Sequence, residues 1–180
     1  MGIKSNLQEK VAFLKLKSGN TEAYGYFYDK YVKKVYSFVL FKVSDKEVAE
    51  DLTQDIFLKT WQHIVDKKEL KSFQAFIFRV ARNSVIDHYR LSKKKTIAID
   101  KIPEIEDLKT DINESLDKSI YMTKLLHNIY QLKPEYQEVL LLHYVQDLAI
   151  DDIAEILQKK KNNIRVIIHR ALKKLKEKVD

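Results

Sequence analysis

Apolar side chains recur at helical intervals through most of this chain, and the recurrences fall into separable blocks. The first covers residues 7–17, where Leu7, Val11 and Leu14, joined by Phe13 and Leu16, share one face with lysines between them. Ser18-Gly19-Asn20 ends it. The second predicts a helix over Thr21–Lys42, capped by Asn20 or Thr21. Its Tyr24, Phe27, Tyr28, Tyr31, Val35, Phe38 and Val39 stand at i, i+3, i+4 spacing, an aromatic stripe that reads as core. Ser44-Asp45-Lys46-Glu47 opens a third, with Ser44 and Glu47 at capping-box spacing and acidic residues suited to a helix N-terminus. That helix runs Val48–Val65 with Val48, Leu52, Ile56, Phe57 and Trp61 inward; Asp51, Gln54, Asp55 and Lys59 lie on other arcs. After a basic loop at Asp66–Ser72, Phe73–Leu91 predicts a long helix with Phe76, Ile77, Val80, Val85 and Ile86 as its core. Arg79, Arg82, Asn83, His88 and Arg90 are interleaved, and Lys93-Lys94-Lys95 closes it.

From Thr96 to about Asp117 the pattern fails. Seven carboxylates fall between Asp100 and Asp117, and Pro103 interrupts, so this stretch reads as an acidic linker between two basic helical modules. A helix resumes near Ser119 with Ile120, Leu125, Leu126 and Ile129, and Pro134 stands at the first position of the next. The expected fold is all-α: two small helical domains, residues 1–95 and 119–180, joined by the linker at 96–118.

The C-terminal stretch from Gln137 to Val179 is the most specific. Two helical segments, Gln137–Tyr144 and Ile150–Leu157, precede a break at Gln158–Lys161 and a basic helix from Asn162. Two helices joined by a turn of about four residues, the second carrying the positive charge, form the pattern of a helix-turn-helix reader of duplex DNA. On the second helix Ile164, Ile168, Ala171, Leu172, Leu175 and Val179 fall on one side, and Asn162, Val166, His169, Arg170 and Lys173 on the other. At about 1.5 Å per residue it is about 25 Å long, enough to lie along a major groove about 12 Å wide.

Charge agrees with that reading. The net charge is +7 over 180 residues, which favours a polyanionic partner. No apolar run approaches a membrane span, and the N-terminus lacks the apolar core of a signal peptide. There are no cysteines, which excludes disulfides and thiolate metal sites and suits a reducing cytosol. His63, His88, His127, His143 and His169 are far apart and form no ligand pair, so no metal is expected. Neither a Walker loop, a GxGxxG nor a GxSxG elbow is present, so neither cofactor nor enzymatic activity is expected.

Four blocks together resemble a known family nearly end to end. They are Gly19–Tyr24 through Tyr28-Asp29-Lys30-Tyr31; Ala49–Trp61; Ser72–Asn83 with Asp87 and Arg90; and Leu132–Leu175. In order and spacing they resemble the extracytoplasmic-function group of bacterial RNA-polymerase sigma factors, in the sigma-70 superfamily. The resemblance implies a cytoplasmic, dissociable subunit that directs core polymerase to promoters and assists their melting without catalysing a reaction. It implies that the helix matching Ala49–Trp61 docks on a coiled coil of the polymerase's largest subunit through Asp51, Gln54 and Asp55, with Phe57 and Leu58 beside them. The module around Lys68–Lys95 would bind and open the minus-ten element, with Arg79, Arg82, Asn83, Asp87, Arg90, Lys93, Lys94 and Lys95 as candidates. Phe73 and Phe76 sit in that module at positions suited to core packing or base stacking. The C-terminal module would read the minus-35 element through Lys160, Lys161, Asn162, Asn163, Arg165, Val166, His169 and Arg170. An anti-sigma factor is a common further partner in the group. The alternatives are a stand-alone helix-turn-helix regulator, or a diverged polymerase-interacting protein with weakened upstream readout.

The chain departs from the family pattern in the turn. Gln158-Lys159-Lys160 replaces a usual glycine, aliphatic and serine, so a retained left-handed position there is strained by about 1 kcal/mol or more. Ala149 replaces a usual serine and forgoes an N-cap worth about 1 kcal/mol. The run Val166-Ile167-Ile168 places aliphatics where a basic residue commonly faces DNA.

Overall fold

The computed structural model describes residues 2–66, 69–92 and 124–179. The linker expected at 96–118, the helix start near Ser119, Lys67, Lys68 and Lys93-Lys94-Lys95 lie outside the described residues. Among the described residues every regular element is helical, and the chain divides into two compact units, Met1–Lys101 and Ile102–Asp180.

The first unit holds α1 (Gly2–Lys17), α2 (Ala23–Val43), α3 (Lys46–Val65) and α4 (Phe73–Ser92). Helix α2 is its axis, packed against α1, α3 and α4, while α3 also packs on α4. Phe27, Tyr31, Val35, Phe38 and Val39 of α2 are buried, as their spacing predicts. Phe27 stacks on Phe73 with ring centroids 4.2 Å apart, and Phe38 meets Phe78 edge-on at 5.6 Å. Each such ring contributes about 1.5–3 kcal/mol on burial, so truncating Phe27 to alanine costs about 3–5 kcal/mol. On α4 the inward set is Phe73, Phe76, Ile77, Phe78, Ala81 and Val85; Val80 is half-buried and Ile86 is exposed, against expectation.

Two further expectations change. Ser44 does not cap α3. It ends α2 in the left-handed conformation (φ 60°), and Asp45 is the N-cap, accepting a 3.0 Å bond from the Val48 amide. One residue cannot adopt both the left-handed C-cap and the extended N-cap backbone, so the roles fall to neighbours.

The face expected on α1 is split: Leu16 is buried and Phe13 half-buried as expected, and the other three turn outward. Leu7, Val11 and Leu14 are 63%, 45% and 67% exposed, while Ala12 and Leu16 are buried. The reason is Glu9. Its carboxylate accepts from Lys30 Nζ at 2.6 Å and from the Tyr31 hydroxyl at 2.5 Å, both on α2. Glu9, Ala12, Phe13 and Leu16 stand at i, i+3, i+4, i+7, so the clamp turns this face inward. Phe13 then reaches Phe27 edge-on at 6.4 Å.

The second unit contains α5 (residues 124–130), α6 (Pro134–Leu140), one π-helical turn at Leu141–Val145, α7 (Ile150–Leu157) and α8 (Lys161–Val179). Pro134 occupies the first turn of α6. The Gln137 amide donates to the carbonyls of Tyr130 and Leu132 at 2.6 and 2.8 Å, fixing the α5–α6 loop. Val139, Leu140, Leu141 and Leu142 are all buried. Four consecutive residues sweep about 300° of a regular helix, and at this run the helix widens into the π turn, the Gln146 amide donating to Leu141. His143 Nδ1 donates to the Leu148 carbonyl at 2.9 Å. Helix α8 packs across α6 and α7 through Ile164, Ile168, Ala171 and Leu175.

Candidate nucleic-acid interface

Helices α7 and α8 form the expected pair. Ala149 enters α7 in an extended conformation with no side-chain cap. Gln158 ends it in the left-handed region (φ 53°, ψ 43°), the position that favours glycine. The turn is nevertheless closed: the amides of Gln158 and Lys159 donate to Glu155 and Ala154 at 3.2 and 2.9 Å, the Schellman arrangement. These bonds satisfy carbonyls that would otherwise be orphaned, which offsets the strain at Gln158.

On α8 the side chains of Lys161, Asn162, Asn163, Arg165, Val166, His169 and Arg170 are exposed, as is Lys160 before it. The aliphatic run is not an exposed patch. Ile167 and Ile168 are each 8% exposed and face the core, leaving Val166, at 46%, as its only member in solvent. Leu172 is 39% exposed rather than core. Two cations of the turn already hold carboxylates: Lys161 Nζ lies 2.7 Å from Asp151, and Lys159 Nζ lies 3.2 Å from Glu135. Arg165 donates to the Asn162 side-chain oxygen at 3.0 Å. Asp151 and Glu135 are residues that periodicity does not single out, because each meets its lysine through the turn and not along one helix.

In the first unit α4 carries a second polar surface. Asn83, Asp87 and Arg90 are exposed, Arg79 and Arg82 half-buried. Arg90 lies 3.5 Å from Asp87. Phe76 is 8% exposed, its ring occupied by the Arg79 guanidinium at 5.3 Å and the His63 ring at 4.2 Å. Phe73 is stacked on Phe27. Both are core, so base stacking is not available to them in this arrangement.

Helix α3 supplies a third surface. Asp51, Gln54, Asp55 and Leu58 are exposed at i, i+3, i+4, i+7 and line one face, with Leu58 64% exposed. Phe57, grouped with them on sequence, is 5% exposed and lies behind that face. Its ring contacts Tyr28 at 4.8 Å, and its carbonyl accepts the Tyr24 hydroxyl at 2.7 Å. Burial, then the neighbouring Tyr28, pushes the Tyr24 hydroxyl well above the usual tyrosine range, so it remains a neutral donor. Lys59 donates to Ser84 at 3.3 Å, joining α3 to α4. Among the described residues no helix is long and apolar enough to cross a membrane.

With this geometry in view, residues 27–95 match the sigma-70 region 2 family and residues 124–175 match sigma-70, region 4. The chain is 28% identical over 160 residues to the ECF RNA polymerase sigma factor BldN of Streptomyces coelicolor, covering 88% of this chain and 61% of that protein. It is 30% identical over 150 residues to the ECF RNA polymerase sigma factor SigM of Bacillus subtilis, covering 83% of this chain and 90% of that one. In fold it is similar to CnrH, solved in complex with the cytosolic domain of CnrY, with a TM-score of 0.67 at 19% identity over 96% of this chain and 97% of CnrH. The sigma factor RpoE of Bartonella quintana, solved with the anti-sigma factor NepR, gives 0.67 at 19% identity over 85% and 94%. The chain belongs to the extracytoplasmic-function sigma factors of the sigma-70 family. It is an RNA polymerase sigma factor, a subunit that directs core polymerase to promoters for transcription initiation.

Proposed function

We propose that the three surfaces divide the work of initiation. Asp51, Gln54, Asp55 and Leu58 of α3, with Phe57 supporting them from behind, dock on the coiled coil of the polymerase's largest subunit. Arg79, Arg82, Asn83, Asp87 and Arg90 of α4, continued by Lys93-Lys94-Lys95, engage the minus-ten element. Lys160, Lys161, Asn162, Asn163, Arg165, Val166, His169 and Arg170 engage the minus-35 element. The corresponding domains are residues 1–95 and 119–180, joined by the acidic segment 96–118. The protein acts in the cytoplasm and catalyses no reaction. An anti-sigma factor holds it when it is not needed.

The observation carrying this reading is the exposed Asp51-Gln54-Asp55-Leu58 stripe on the same compact unit as the cationic α4. Carboxylates beside an exposed leucine form a polar-rimmed apolar anchor, the anatomy of a protein interface and not of a DNA contact. A stand-alone regulator has no use for it, and the paired region 2 and region 4 matches do not favour that alternative.

Run-off transcription with purified core polymerase tests the proposal. Asp51→Ala with Asp55→Ala weakens association with core enzyme and lowers promoter-specific transcript without altering binding of the isolated protein to DNA. Arg165→Ala with Arg170→Ala leaves core binding intact and flattens promoter selectivity. Selectivity unchanged by the second pair would return the diverged, weak-readout alternative.

A further inference from the structure

We propose that the outward face of α1 is a docking site for a carboxylate-bearing amphipathic helix of a partner protein. Leu7, Val11 and Leu14 stand at i, i+4, i+7 and are 63%, 45% and 67% exposed. They form a continuous apolar stripe where a helix on a folded core ordinarily presents polar residues. The stripe is fixed in place, because Glu9 is bound to Lys30 and Tyr31 on the opposite side and α1 cannot roll to bury it without breaking both bonds. Beside it runs an open groove of about 630 Å³ between α1 and α2, lined by Leu7, Val11, Ala12, Ala23 and Tyr26 together with Gln8 and Lys15.

Charge selects the occupant. Among the lining residues Lys15 carries the only charge, and Lys10 is exposed one position before Val11. The nearest carboxylate on α1, Glu9, is committed inward. An apolar channel rimmed by ammonium groups fits a helix with leucines at i, i+3/i+4, i+7 and glutamates flanking them. A second copy fits less well, since a two-fold pairing sets each lysine against lysine. A bilayer requires a broader convex apolar face than three residues beside a groove. This surface is separate from those assigned to polymerase and DNA, so the inference stands or falls independently of those assignments.

The test uses the full chain and a fluorescein-labelled peptide of about 18 residues, or five turns, with leucines at that spacing and glutamates beside them. Its lysine-for-glutamate counterpart, a scrambled acidic peptide and phosphatidylglycerol vesicles are the comparisons. The acidic helix is expected to bind about tenfold or more tighter than the scrambled and the basic peptides. Leu7→Ser with Leu14→Ser abolishes that difference while thermal unfolding and run-off transcription stay unchanged. Lys10→Glu with Lys15→Glu reverses the preference between acidic and basic helices, and this pair decides the matter if the serine variant fails to fold. Equal binding of all peptides, preference for vesicles, or self-association lost in the serine variant overturns the proposal. So does an affinity that rises to full strength only when residues 100–117 are deleted, since the acidic segment of the same chain would then be the occupant.

Discussion

Lys161 Nζ lies 2.7 Å from Asp151 Oδ2, so the first turn of α8 is tied to the first turn of α7. The pair is more than half exposed on both sides, and as a stabilising contact it contributes little, about 0–1 kcal/mol. Its effect on binding is larger. A phosphate reaching Lys161 must compete with a carboxylate already in place. Asp151→Asn therefore strengthens promoter binding and steepens the salt dependence by up to about 0.9 in log–log slope. Filter binding across a salt series measures this; an unchanged slope would show that Lys161 takes no part.

Gln158 gives a second prediction. A side chain in the left-handed region costs about 1–2 kcal/mol relative to the right-handed form, and glycine is the residue that escapes the cost at such a cap. Gln158→Gly accordingly raises the stability of the second unit by about 1 kcal/mol, less the entropy that glycine adds to the unfolded chain. A urea melt following the second unit should show a higher midpoint at unchanged slope.

Tyr24 ties α2 to α3 through a half-buried bond. Its hydroxyl donates to the Phe57 carbonyl, and its ring meets Trp61 at 5.0 Å and Phe73 at 6.0 Å. Tyr24→Phe keeps the ring contacts and removes one hydrogen bond, at a cost of about 1 kcal/mol. Tyr24→Ala removes both and costs several times more, near the range for deleting a large core ring, about 3–5 kcal/mol. Equal losses in the two variants would mean that the ring packing contributes nothing.

Asp152 makes the second unit pH-sensitive. It is half-buried in the first turn of α7, and burial, followed by repulsion from Glu155 and Asp151, holds its carboxyl above the usual carboxylate range. The folded state thus holds this proton more tightly than the unfolded chain does, and ionisation costs stability as pH rises through the folded value. Asp152→Asn removes that cost. The gap in melting temperature between variant and parent, in the variant's favour, should widen from about pH 3 to about pH 7. A gap that narrows with rising pH would contradict the assignment.

Much of this protein is written in its local pattern. The i, i+3, i+4 recurrence placed α2, α3, α4 and α8, because a helix on a core repeats its apolar face every turn whatever it packs against. Pro134 and Ser18-Gly19-Asn20 marked a start and a stop, since ring closure and a positive φ (93° at Gly19) are backbone properties of single residues. The basic face of α8 followed from the same periodicity, and the Asp51-Gln54-Asp55 set of α3 from the family resemblance.

Other features depended on partners distant in sequence. Leu172 falls on the apolar side of α8 by spacing, yet the packing of α8 across α6 and α7 leaves it 39% exposed. Phe57 is buried as its spacing predicts, but that Tyr24 and Tyr28 are what close over it, behind the Asp51-Gln54-Asp55-Leu58 face, is decided by contacts between helices. Helix α1 shows the limit most clearly. Its sequence offers an apolar face of Leu7, Val11 and Leu14 and a mixed face of Glu9, Ala12, Phe13 and Leu16. Hydrophobic burial is non-directional and does not choose between the two. What selected the second was a directed bond from Lys30 and Tyr31 to one carboxylate, and a pattern read along a single helix contains no information about where a donor on the next helix stands.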